Sequence, residues 1–365
     1  MQPSIRKIAK EIGVSRTTVW KALNGLPRIS NEVREKIITA VERLHYEPGH
    51  MKGGISLRKA RFVKLIVFNY ERLTRPFFAD VIRGIESVAR ANNYSLQFLC
   101  MDEEIKREKK DGADIPNIEE RLFEGLIIFG IDLDDKTVTI LNEKNIPFVL
   151  INSLKSNENV SYIFPNYRKG AFIAIEHLVR LGHKRIGFIT GSMELKLDFE
   201  KMLGYKSALA KFGLEYDEKI IKKGDYSEKK AYKATIALLE SNWAPTAIFA
   251  ADDIMAAGVI KAVRSKRLDV PDDIAVVGFN DMQIASLLDP PLTTVKVPTY
   301  KIGKLAMEIL LKLMREKKKG KAVKGYKFIL EPELIIRQSC GSGEIMKRGD
   351  KIEAGLNRGK EEKER

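Results

Sequence analysis

Near the start of the chain, apolar positions recur at helical spacing in three short runs. Ile5, Ile8, Ala9 and Ile12 form one stripe behind Ser4, Val19 and Leu23 a second behind Ser15, and Val33, Ile37, Val41 and Leu44 a third that opens at Ser30. A serine at the head of each run can accept a hydrogen bond from an N–H of the first helical turn that has no partner in the helix. Gly13-Val14 supplies a tight turn between the first two runs. The pattern predicts helix, turn, helix, roofed by a third amphipathic helix that buries both stripes. On the second helix Arg16, Thr17 and Lys21 project away from Val19 and Leu23, as donors suited to base edges and phosphates. An ordinary three-helix bundle carries the same stripes, so the pattern alone leaves that alternative open.

Pro48-Gly49 closes this unit, and the basic, glycine-containing stretch from His50 to Arg61 reads as a linker. From Val63 the texture changes to apolar runs alternating with helical stretches. Strands are predicted at Leu65–Phe68, Leu96–Leu99, Leu126–Phe129 and Phe148–Ile151, with a helix at Phe78–Ala91. A second series has helices at Lys169–Leu181, Met202–Phe212, Glu228–Glu240 and Ile254–Arg264, and strands at Arg185–Thr190, Ala247–Ala250 and Ile274–Phe279. A helix at Tyr300–Arg315 precedes two late strands, Tyr326–Leu330 and Glu333–Ile336. Uniformly apolar strands of this kind are buried on both faces of a parallel sheet. The fold class is therefore α/β, with two successive doubly wound units. Such sheets bind ligands beyond the carboxyl ends of their strands, which directs attention to the loops after Phe68, Phe129, Thr190, Ala250 and Phe279.

The chain has 365 residues, long enough for two or three domains. Its net charge of +15 favours a polyanionic partner. The first sixty residues hold 12 Lys and Arg against 5 Asp and Glu, a net of +7, so nearly half the excess lies on the helical unit and linker. Cys100 and Cys340 have no metal-ligand spacing and are expected to be free thiols in a reducing cytoplasm. Without an apolar signal core or a run of about eighteen apolar residues, a cytoplasmic protein with no membrane partner is expected.

Val14-Ser15-Arg16-Thr17-Thr18-Val19 and Leu23-Asn24-Gly25, followed by Pro76-Phe77-Phe78, Glu176-His177-Leu178 and Leu181-Gly182-His183, make the match specific. With Gly204-Tyr205, Pro245-Thr246-Ala247-Ile248, Val276-Val277-Gly278-Phe279-Asn280-Asp281 and Pro290-Pro291-Leu292-Thr293-Thr294-Val295, the chain resembles the lac-repressor-like (LacI/GalR) family of bacterial transcription regulators from about Ile5 to Arg337. The resemblance implies a helix-turn-helix headpiece at 1–47, a hinge at 48–60 and a two-lobed core, similar to periplasmic sugar-binding proteins, at 61–338. Lobe one would take about 61–162 and 292–325, and lobe two about 163–291 and 326–338. A charged tail at 339–365, glycine-broken from Gly341, is expected to be disordered. The family works as a homodimer on palindromic operators, with a small molecule between the lobes.

By resemblance, Arg16, Thr17 and Lys21 would read bases in the major groove, and Ser4, Ser15, Thr18 and Asn24 would hold phosphates. Trp20 departs from the small polar residue usual there, and packing against the third helix is the favoured reading over a place along the sugar-phosphate wall. Where family members carry a leucine that wedges into the minor groove, this chain has Lys52-Gly53-Gly54-Ile55. Ile55 takes the leucine's place, with Leu57 as the alternative in a shifted register. Each glycine disfavours a hinge helix by about 1 kcal/mol relative to alanine, and a flexible linker without a wedge stays open.

A carbohydrate ligand needs acidic and amide groups for its hydroxyls, a basic group and an aromatic floor. Phe77, Phe78, Asn166, Lys201, Tyr226, Asp252 and Asn280 are the candidates. For the two phenylalanines core packing is the competing role, and for Asn166, Asp252 and Asn280 it is tying strand-end loops together. Lys201 stands where the family usually has an effector-clamping arginine, and it offers a point charge in place of a fork.

The expected function is repression of carbohydrate-utilisation genes, released by a sugar. The alternative is DNA binding strengthened by a corepressor, a partner or an anionic ligand such as a sugar phosphate. An enzyme is disfavoured because G-x-x-x-x-G-K-[ST], G-x-S-x-G and H-E-x-x-H motifs are missing. A transport binding protein is disfavoured by the basic headpiece. No cofactor and no metal is expected.

Overall fold

The computed structural model describes residues 5–23, 29–44, 61–68, 76–101, 123–130, 133–155, 157–193, 195–320 and 325–341. Ser4, Asn24, Ile55, Leu57 and the Gly53-Gly54 hinge lie outside these residues. Two compact units are present, Met1–Arg61 and Phe62–Arg365.

The N-terminal unit contains α1 (Ile5–Ile12), α2 (Arg16–Leu23) and α3 (Asn31–Arg43). Ile8, Ala9, Val19, Ala22, Ile37 and Ala40 are buried together, flanked by Ile5, Ile12, Val14, Leu23, Val33, Val41 and Leu44. The three stripes thus share one core. Gly13 takes a φ of 76°, the left-handed geometry a helix C-terminus needs before the chain turns. Arg34 on α3 donates to the Ala22 carbonyl at 3.1 Å, satisfying a carbonyl in the last turn of α2.

The second unit begins with β1 (Arg61–Phe68), α4 (Pro76–Ala91), β2 (Tyr94–Met101), β3 (Gly125–Phe129), α5 (Asp135–Glu143), β4 (Phe148–Ile151) and β5 (Ser161–Pro165). Next come α6 (Tyr167–Arg180), β6 (Ile186–Thr190), α7 (Lys196–Lys211), β7 (Ile221–Lys223), α8 (Glu228–Leu239), β8 (Ala247–Ala250) and α9 (Asp253–Ser265). The chain closes with β9 (Ala275–Asn280), α10 (Gln283–Leu287), β10 (Thr293–Lys296), α11 (Thr299–Lys318), β11 (Lys327–Leu330) and β12 (Glu333–Ile335). One sheet has the order β11-β5-β4-β3-β1-β2 and the other β12-β10-β9-β8-β6-β7. Pairing within the second is parallel except for β10 with β12.

Strands β3, β4, β6 and β8 are buried at every position, as their apolar runs predict. β2 is different: it is an edge strand, and Phe98 is 46% exposed. The expectation of full burial fails there because an edge strand has a neighbour on one side only.

The chain passes between sheets after Pro165, after Lys296 and after Leu330. This corrects three expected divisions. β5 carries lobe one on to Pro165, β10 belongs with β9 in lobe two, and β11 pairs with β5 in lobe one. The expected tail also starts too early. Ser339 and Cys340 are buried, and the Ser339 hydroxyl donates to the Val276 carbonyl at 2.6 Å while accepting from the Thr293 N–H at 2.9 Å. The chain from 342 on lies outside the described residues.

Helices pack in pairs across the sheets. α4 and α11 meet where Gly84 and Gly303 face each other's backbone. A Cβ on Gly84 would strike the Tyr300 carbonyl oxygen, and one on Gly303 the Val81 carbonyl oxygen. Thr299, at the start of α11, donates to Asp80 at 2.7 Å and locks the register of the pair.

Candidate nucleic-acid interface and effector cleft

In the N-terminal unit the serine before α2 acts as its cap. The Ser15 hydroxyl accepts from the Thr18 N–H at 3.0 Å and pairs with the Thr18 hydroxyl at 2.8 Å. Val19 and Ala22 turn inward, while Arg16, Thr17, Trp20 and Lys21 are exposed. Trp20 is 41% exposed and lies on the same face as the candidate base-reading side chains. Arg6, Lys7 and Lys10 on α1 and Lys36 on α3 are exposed as well. A helix presenting arginine, threonine, tryptophan and lysine on its outer face, braced by two helices behind it, has the chemistry of a major-groove reader.

In each sheet the strand order reverses once, between β1 and β3 in lobe one and between β6 and β8 in lobe two. Side chains beyond the carboxyl ends of those strands line the crevice such a reversal opens. At the lobe-one reversal Phe78 packs on Phe129, the last residue of β3, with ring centroids 4.3 Å apart. Phe77 lies 6.1 Å from the same ring. Both phenylalanines are seated on the core and still partly open to solvent.

At the lobe-two reversal, five of the predicted residues or their chain neighbours converge. Lys201 is buried, and its ammonium donates to the Ala251 carbonyl, just past β8, at 2.9 Å. Three rings surround it, Phe279 at 4.7 Å, Tyr167 at 5.4 Å and Tyr226 at 5.6 Å from Nζ to the centroids. Asp198, one turn earlier on α7, lies 3.5 Å from Nζ through Oδ1. The Tyr226 hydroxyl donates to the same Oδ1 at 2.5 Å. Tyr226 reaches that position from a turn in which it and Asp225 both have φ in the left-handed region, 57° and 51°. Burial lowers the Lys201 pKa, opposed by the charges of Asp198, Asp252 and Asp253. Burial raises that of Asp198, opposed by Lys201, by the Tyr226 hydroxyl and by the Ser192 N–H.

Asn166 and Asp252 each cap a helix. Asn166 caps α6, accepting from the Lys169 N–H at 3.1 Å, and its amide donates to Glu331 at 3.1 Å. Since Lys169 also pairs with Glu331 at 2.7 Å, the first and third interlobe crossings are tied together at Asn166 and Glu331. Asp252 caps α9 through the Met255 N–H at 2.7 Å. Asn280 ends β9 with a φ of 102° and is half-buried. Next to it, Asp281 pairs with Arg337 at 2.7 Å.

Asp198, Tyr167, Phe279 and Asn152 were not among the predicted residues. The Tyr167 hydroxyl donates to Asn152 at 3.0 Å, joining the lobe-two ring cluster to the residue after β4 in lobe one. For Asp198 a signal was available: it lies three residues before Lys201, a spacing that puts both on one helix face. Tyr167 and Asn152 are distant in sequence and carry no local pattern. His177 and His183 are engaged elsewhere, with Cys340 Sγ at 3.3 Å and the Thr246 hydroxyl at 3.1 Å. Neither Cys100 nor Cys340 is in a disulfide. Among the described residues no helix is long and apolar enough to cross a membrane.

Residues 4–49 match the family described as bacterial regulatory proteins, lacI family, and residues 175–340 match a periplasmic binding protein-like domain. Catabolite control protein A of Priestia megaterium is 32% identical over 317 residues, 87% of this chain and 94% of that protein. The HTH-type transcriptional repressor PurR of Photobacterium profundum is 30% identical over 337 residues, 92% of this chain and 98% of that protein. Among solved structures, the lac repressor dimer bound to operator and the anti-inducer ONPF aligns at a TM-score of 0.67 and 25% identity, over 93% of this chain and 99% of that one. The transcriptional regulator CelR in complex with cellobiose aligns at 0.65 and 26%, over 92% and 99%. These relatives are regulators of transcription and not enzymes. With a three-helix reader ahead of a two-lobed binding core, and relatives matched across nearly their whole length, this chain belongs to the lacI family of bacterial regulatory proteins, DNA-binding regulators of transcription.

Proposed function

We propose that this protein is a cytoplasmic homodimeric repressor of carbohydrate-utilisation genes, held on a palindromic operator and released by a neutral sugar bound between the lobes of its core. The observation that carries the reading is the outer face of α2, where Arg16, Thr17 and Lys21 stand exposed over a core closed by Val19 and Ala22. Two further observations support it. The lobe-two strand ends gather aromatic rings and carboxylates, the groups that hold a polyhydroxylated ligand, and CelR, a structural neighbour, is bound to cellobiose. Three crossings between the sheets are the places where closure of the lobes on a ligand would turn them.

Selection from a random duplex library at ~150 mM salt, where nonspecific phosphate attraction is partly suppressed, tests the reading. Recovery of a palindrome by the full-length protein is expected, with loss of selection on truncation at Arg61. Neutral sugars are then screened for release of the selected site. Selection of nothing above background overturns the reading, and tightening of the complex by a ligand replaces induction with corepression.

A further inference from the structure

Among the described residues, the buried charged side chains are Asp198, Lys201, Asp252 and Asp253, three carboxyls and one ammonium. All four gather at the lobe-two strand ends, where the charges of the three aspartates act on Lys201. The ammonium is already held by the Ala251 carbonyl, by Asp198 and by three ring faces. Little of its charge is left for a ligand. Asp198 is in the opposite condition. Its Oδ1 accepts from Tyr226 and from Lys201, and the Ser192 N–H also acts on the carboxyl, whereas Oδ2 is buried with no hydrogen-bond partner among the described residues. A buried acceptor left unmade is costly, and such an atom in a folded protein calls for a donor. The pairing of the Tyr226 hydroxyl with Oδ1 shows that this carboxyl accepts from a neutral O–H as well as from the ammonium.

We propose that Asp198 sets the selectivity of the lobe-two site, taking a hydroxyl of a neutral ligand on Oδ2 and turning away phosphorylated or carboxylated ligands, while Lys201 is an internal counter-charge. The inference rests on the reading of this crevice as the effector site. It reverses the role that sequence reasoning gives to Lys201, because the lysine that would greet an anion is enclosed by the protein's own groups. An anion entering here meets buried carboxyls and an ammonium already engaged by the Ala251 carbonyl, by Asp198 and by three ring faces.

The test uses the full-length protein and two sets of probes, neutral sugars (glucose, ribose, cellobiose) and their charged counterparts (glucose 6-phosphate, ribose 5-phosphate), at about 10 mM, where millimolar binders raise the melting midpoint. A neutral sugar is expected to raise the midpoint of the wild type, and neither phosphate ester is. In Asp198→Asn the affinity for that sugar falls about tenfold to a hundredfold, the loss expected for a hydrogen bond to a charged group, and a phosphate ester begins to bind. A merely structural Asp198 would weaken both classes together and leave the preference unchanged. Asp198→Ser is the second variant should Asn not fold, and the wild-type comparison stands without either. Equal binding of the phosphate esters by the wild type, no response to either set, or an unchanged preference in both variants overturns the proposal. Operator selection by the same preparation separates the outcomes: DNA selected without the expected sugar preference sinks this inference alone, and no DNA selected sinks the regulator reading.

Discussion

Lys201 and Asp198 stand one turn apart on α7, each about 1% exposed, with the ammonium 3.5 Å from one carboxylate oxygen. Neither side chain reaches water, so each is the other's main charge partner, and the aromatic faces of Tyr167, Tyr226 and Phe279 complete the enclosure. Removing one member leaves the other in a dry site without its main counter-charge. Lys201→Met is therefore expected to destabilise the fold by about 3–5 kcal/mol, while a second change, Asp198→Leu, returns most of that loss. Denaturant unfolding of the two single variants and the double variant measures it. Additive losses would show that the two charges do not depend on each other.

Asp253 accepts from the Thr294 hydroxyl at 2.5 Å and from the Met282 N–H at 2.6 Å, and burial pushes its pKa from 3.8 up to about 8. Between those values the folded state holds a proton that the unfolded state has released. Stability from this group is thus fully present below about pH 4 and is lost as pH rises to about 8, at no more than about 1.4 kcal/mol per unit. The stability difference between wild type and Asp253→Asn should fall across that window and level off above it. Parallel pH curves for the two proteins would refute the assignment.

Arg16 is exposed at the first position of α2. Its replacement by alanine should cost about 1–3 kcal/mol of operator binding and relax the preference at one base pair, the signature of a base contact. A uniform loss over all sequences, with a shallower salt dependence, would instead assign Arg16 to phosphate.

Gly303→Ala places a methyl group against the Val81 carbonyl of the facing helix. Although alanine favours helix over glycine by about 1 kcal/mol, the obstacle is backbone and cannot rotate aside. A net loss of about 1–3 kcal/mol is expected from separating α4 and α11, read from the urea midpoint. A variant as stable as the wild type would mean that the pair tolerates a wider spacing.

Local pattern was enough wherever a segment's burial is decided by its own side chains. The three stripes of the headpiece, the runs at Leu126–Phe129, Phe148–Ile151 and Ala247–Ala250, and the capping serines Ser15 and Ser30 are legible because apolar spacing and a cap act over one or two turns. β10 escaped notice for the converse reason. Thr293 and Thr294 are fully buried polar residues, made tolerable by Cys340, Ser339 and Asp253, which lie far away in the chain. The lobe boundaries shifted along with it, since strand membership depends on which edge a short segment joins.

From the sequence by itself came the α/β class, the helix-turn-helix unit and the loops in which a ligand site should gather, since each follows from periodicity, composition or order along the chain. Tertiary structure alone decided that Lys201 is enclosed and held by the protein's own groups, that Asn166 belongs to a tie between two crossings, and that Asp198 keeps one oxygen without a donor among the described residues. Those properties arise from desolvation and from partners brought together across the fold, and both depend on the distances that folding creates between residues remote in sequence.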